Sequence, residues 1–177
     1  TQKTVVAFVA SVALLLFCVT AIDWIVHSML YRYGLQFSYD WANPYWFFLN
    51  ATFASAGLLA ACAYWLFRKP KLRHFVTAGL VFWTVFLQVF AYNLDLLWHA
   101  INMLMGYGTF NPEAVWGWGP ADWFTKIVFH RAATALDAVW CSAVLNAVTL
   151  ALWLSSKFLR HKFSEMEARV FNEHSIA

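Results

Sequence analysis

Two short repeats hold the residue types best suited to chemistry in this chain: Asp23-x3-His27 within AIDWIVHSMLY and Asp95-x3-His99 within NLDLLWHAINM. A spacing of four puts a carboxylate and an imidazole one helical turn apart on the same face. A third apolar stretch adds His130 and Asp137, about two turns apart and again on a shared face. An ionisable side chain at the centre of a bilayer costs at least ~2.5–3.5 kcal/mol on insertion scales. Such residues on three apolar segments are therefore expected to meet one another or a cation.

Imidazole combined with carboxylate suits copper, zinc and iron, and the charge of a metal would offset the buried acids. On this reading Asp23, His27, Asp95, His99 and His130 are the candidate metal ligands, with Asp137 and Asn93 as candidates to orient an imidazole from behind. Haem b is the alternative cofactor, because His27, His99 and His130 offer imidazoles on different segments. A third reading uses no cofactor: the same side chains form a proton path or interhelical hydrogen bonds in a structural subunit or small transporter. His74, His161 and His174 fall at the edges of the apolar segments and read as surface residues. No phosphate-binding glycine loop, nucleophile elbow or CxxC pair is present.

The elements that must position these residues are membrane spans. The 177 residues are 62% hydrophobic, 20% aromatic and only 12% charged, against roughly 25% charged in ordinary soluble domains. The expected fold is all-α, an integral membrane four-helix bundle over residues 1–156, with spans near 5–30, 45–67, 75–104 and 123–156 and a tail over 157–177. Lys3 and the first apolar run read as a retained span, because that run carries Asp23 and His27 and lacks a small-residue cleavage site. Arg68, Lys69, Lys71 and Arg73 crowd one short loop, and Lys157, Arg160 and Lys162 follow the last span. The positive-inside rule then makes that loop and both termini cytoplasmic, in a multi-pass protein of the cell inner or plasma membrane.

Pro44 suits a helix start, and the Ala-rich second span around Gly57 suits close helix approach in lipid. The long connection over 106–121 carries glycines, prolines, Trp116 and Trp118; with Trp123 beside them, these indoles read as headgroup-level residues facing lipid. Asp122 reads as the N-cap of the fourth span, with His130 near its start. Cys18, Cys62 and Cys141 all fall inside spans and read as packing residues. The net charge of +3 resides in span-flanking Lys and Arg and argues against nucleic acid as a partner. Abundant aromatic surface with little mass outside the membrane points to other membrane subunits as partners.

In feature order, residues 18–155 resemble the C subunit of the copper-dependent membrane monooxygenases, the particulate methane and ammonia monooxygenase family. Asp23-x3-His27 is similar to that family's first Asp-x3-His. His99 matches the His of its later Asn-x3-His, with Asp95 standing where the family has Asn and Asn93 two residues earlier. The loop FSYDWANPYWFF resembles the family's ligand loop without its His, and His130 takes the place of the partner at the next helix start. The resemblance implies a copper-binding subunit of a hetero-oligomeric oxidase that activates O2 and hydroxylates a small apolar substrate or ammonia. The other class of function consistent with the residues is a haem- or quinone-binding anchor of a respiratory complex.

Overall fold

A computed structural model describes residues 2–33, 39–68 and 72–176. The described residues form six helices: α1 (Gln2–Arg32), α2 (Tyr39–Phe67), α3 (Leu72–Phe90), α4 (Asn93–Leu104), α5 (Gly119–Phe129) and α6 (Ala135–Ile176). Among them there is no strand, only an isolated antiparallel bridge between Val115 and Thr134. Three segments are long and apolar enough to cross a membrane: Thr4–Met29, Phe47–Phe67 and Ala135–Ser156. A fourth crossing is formed if His74–Phe90 and Asn93–Leu104, bent by 47°, are one broken span. The protein is thus an all-helical membrane protein with three to four candidate spans. Residues 34–38, before the aromatic helix start, and 69–71, within the basic loop, lie outside the described residues.

α3 is the hub, packed along α2 on one side and α6 on the other, while α1 rests mainly on α4. One face of α1, carrying Val12, Leu16, Val19 and Thr20, closes on Leu49 and Phe53 of α2 and on Val85, Val89 and Leu94. Gly57 lets α2 and α3 touch at backbone level, since a Cβ there would lie 2.9 Å from the Phe82 carbonyl oxygen. Indoles tie α3 to α6: Trp83 Nε1 donates to Thr149 Oγ1 at 2.7 Å, and Trp153 Nε1 donates to Thr84 Oγ1 at 2.9 Å. Hydroxyl acceptors of this kind satisfy indole N–H groups that lipid would leave bare.

Two segments expected to be continuous are interrupted. The 75–104 segment breaks at Tyr92, whose φ of 61° and ψ of 11° are left-handed. A tyrosine tolerates that region only where surrounding contacts impose it. Here its hydroxyl donates to the Trp118 carbonyl at 2.7 Å and accepts from the Ala121 N–H at 2.9 Å, with the side chain wholly buried. The 123–156 segment breaks over 130–134. Thr134 caps the new helix, since its Oγ1 accepts from Asp137 N–H at 3.4 Å while Asp137 Oδ2 accepts from Thr134 N–H at 2.7 Å. That reciprocal pairing is a capping box with Asp in the third position. α6 then continues without interruption to Ile176, so the 157–177 tail extends the last helix up to that residue.

The long connection is folded rather than spread out. Trp116 N–H donates to the Ala133 carbonyl at 2.8 Å, Ala135 N–H to Ala114 at 2.8 Å and Leu136 N–H to Pro112 at 3.0 Å. These bonds sew the 106–118 stretch to the start of α6. Together with α5 it forms a cap around Tyr92, Trp116, Ala121, Ala133 and Ala135.

Candidate functional site

The two Asp-x3-His pairs open onto one shared space. Asp23 and His27 on α1 and Asp95 and His99 on α4 all line one cavity of about 290 Å³. α1 supplies Asp23 because it shares the buried face of Val12 and Thr20, and it is only 7% exposed. His27 follows one turn later, its Nδ1 3.1 Å from Asp23 Oδ1 and 3.1 Å from the Asp23 carbonyl oxygen. α4 supplies Asp95 from its first turn and His99 one turn on. The 47° bend at Tyr92 aims α4 across α1, and Trp24 Nε1 fastens the crossing by donating to Asn102 Oδ1 at 2.8 Å.

Asp95 Oδ2 is buried without a hydrogen-bond partner, and so is Trp98 Nε1; both residues line the cavity. A native structure seldom leaves such groups unpaired unless a ligand, ion or water meets them. Aromatic rings frame the imidazoles: Trp98 stands edge-on to His27 at 6.0 Å and to His99 at 5.2 Å, and Trp116 stacks on His99 at 5.0 Å with planes 26° apart.

His130 is not part of this cavity. It is the exposed C-cap of α5, left-handed at φ 51°, its N–H donating to the Thr125 carbonyl. The expectation that it opens a span fails because the helix it was assigned to is broken there. Asp137 is likewise engaged elsewhere: beyond the Thr134 capping box it takes a bidentate pair from Arg131, at 2.6 Å and 2.9 Å. Asn93 faces away from the cavity into a polar knot, accepting from Ser142 Oγ at 2.7 Å and from Asn146 Nδ2 at 2.9 Å and donating to Gln88 Oε1 at 3.1 Å. Neither Asp137 nor Asn93 is placed to orient an imidazole.

Asp122 is not a helix cap either. It sits in the first turn of α5 with Trp118 as N-cap, where its Oδ2 lies 2.6 Å from Lys126 Nζ and its Oδ1 accepts from the Ala133 N–H at 3.2 Å. Loss of hydration pushes this carboxyl up, yet the Lys126 ammonium and the Ala133 N–H outweigh that and hold it below its usual range. Trp116 and Trp118, expected at the lipid headgroups, instead turn inward and roof the cavity with Val115. A clustering of indoles next to glycine and proline signals a turn, but not which way the rings face.

Chemically, two carboxylates and two imidazoles suit a divalent or monovalent transition metal. Among the described residues, however, no group of three or more His, Cys, Asp or Glu side chains stands close enough together, as placed, to hold an ion. No family model matches the chain, and no curated protein or solved structure matches it either.

Proposed function

We propose that this chain is a metal-binding subunit, copper being the favoured ion, of a membrane-bound oxidoreductase or monooxygenase complex. The observation that carries the reading is the convergence of Asp23, His27, Asp95 and His99 on one cavity, with a buried Asp95 oxygen left unpaired beside it. A cation would supply that oxygen with a partner and offset two neighbouring acids in an apolar setting. Because the donors as placed do not enclose an ion, the reading requires the half-exposed His27 ring to leave Asp23 and turn toward it. Bound copper would supply the redox centre for O2 chemistry that the resemblance implies. The protein's own part is to hold the donors, stack Trp116 against His99 and roof the cavity. The accompanying topology is four spans with both termini cytoplasmic, in the inner or plasma membrane beside other membrane subunits.

Competition titration of the full chain in lipid nanodiscs tests this, using Cu(I), Cu(II) and Zn(II) against chelators of known affinity. One saturable site is expected, weakened at least tenfold in His99→Ala and in Asp95→Asn, with both variants eluting as the wild type. Equal affinity in the wild type and both variants would overturn it.

A second reading is favoured by the direct Asp23–His27 contact at 3.1 Å: an acid–imidazole pair that stores or passes a proton, in a chain that binds no metal. The same titration separates the two, since this reading predicts no saturable site.

A further inference from the structure

α5 is built inside out. Its inward face holds polar side chains, with Asp122 and Thr125 buried beside Ala121. Its outward face carries Trp123, Phe124, Ile127, Val128 and Phe129, which are 48% to 76% exposed. A helix that meets water on one side shows the reverse pattern, apolar inward and polar outward.

The charges follow the same logic. Lys126 is the one basic residue of α5, and it folds back to 2.6 Å from Asp122. Arg131, just past the end of the helix, is paired with Asp137 at 2.6 Å. Both cations near the exposed apolar face are thereby neutralised within the chain, as a surface next to hydrocarbon requires. Eleven residues make a helix about 16 Å long, half the thickness of a bilayer core, so α5 cannot cross. The Trp123 ring contacts Phe90, the last residue of α3, at 6.3 Å. This places the start of α5 at the level where α3 gives way to α4, and α6 likewise exposes apolar side chains near its start at Leu136 and Trp140.

From this arrangement we infer that the outward face of α5 docks onto lipid. The helix lies in the membrane interface, with Trp123, Phe124 and Ile127 in the boundary between headgroups and acyl chains. Its apolar surface is continuous with the lipid-facing sides of the spans, and the cap over the cavity is moored to the bilayer through it. Insertion of this kind is the behaviour of in-plane amphipathic helices with Trp and Phe on the buried side.

Nitroxide labels read the answer. Cys18, Cys62 and Cys141 are replaced by Ala, and single cysteines are placed at Ile127→Cys, Phe124→Cys and, as a control on the exposed loop, Glu113→Cys. The full chain is reconstituted in phosphatidylcholine vesicles, and relaxation by oxygen is compared with relaxation by a water-soluble nickel chelate. Oxygen is expected to dominate several-fold at 127 and 124, and nickel at 113. Dominance of nickel at 127 and 124 would place the face in water. Exclusion of both reagents there would mean that protein, a partner chain or a second copy, covers it. Either result overturns the proposal, and the 124 label carries the test should the 127 variant fail to incorporate. The outcome is independent of whether the cavity binds metal.

Discussion

A Cβ on Gly119 would stand 2.7 Å from the Tyr92 hydroxyl oxygen, so the left-handed Gly119, at φ 73°, and the left-handed Tyr92 are fitted to each other across the bend between α3 and α4. Gly119→Ala meets both that clash and a backbone penalty of about 1–2 kcal/mol. Tyr92→Phe removes the hydroxyl that donates to the Trp118 carbonyl and accepts from the buried Ala121 N–H, at about 1–3 kcal/mol. Both variants are expected to unfold at lower denaturant in an SDS titration, and Gly119→Ser should fare no better than Gly119→Ala.

The α2–α3 contact at Gly57 predicts a second loss. A methyl group there must push against the Phe82 backbone, 2.9 Å away, rather than a flexible side-chain end. Overpacking of this kind costs about 1–3 kcal/mol. Gly57→Ala should lower stability by that amount in the same titration, whereas Gly79→Ala, which meets nothing within 4 Å, should be nearly neutral.

Thr134 and Asp137 form the cap of α6 and stand apart from the cavity. Thr134→Ala is expected to cost about 1 kcal/mol as a lost N-cap. Metal affinity should stay within twofold of the wild type in chelator competition, which separates a capping Asp137 from one that serves the imidazoles.

Asp122 sets an acid limit on the cap. Its carboxyl titrates below the usual value of 3.8, so the Lys126 and Ala133 interactions stabilise the fold above that pH. That contribution is lost as pH falls through the depressed folded value. The protein should lose stability on acidification below about pH 4, and Asp122→Asn should flatten that limb while lowering stability at neutral pH. Thermal unfolding followed from pH 7 to pH 3 checks both.

The paired motifs were legible because a four-residue spacing reads the same in sequence and on a helix, and the spans because their composition leaves them no other solvent. The breaks were not. Nothing local marks Tyr92: no glycine or proline falls between residues 80 and 105, and its left-handed backbone is imposed by Trp118 and Ala121, more than twenty residues away. The sequence around His130 reads as part of a span for the same reason. The stop there is made by Asp122 reaching Ala133 and by Arg131 reaching Asp137, contacts that exist only once the cap has folded. Composition alone suggests the headgroups for Trp116 and Trp118, but it carries no information on which way an indole turns.

The most direct test of the account is the metal content of the full chain, purified without chelators and reconstituted in nanodiscs, measured by elemental mass spectrometry beside the His27→Ala/His99→Ala double variant. One copper, or one ion of iron or zinc, per wild-type chain and almost none in the folded double variant is the predicted result. A wild-type chain that stays metal-free after incubation with each ion, or a double variant that retains the full complement, would contradict it.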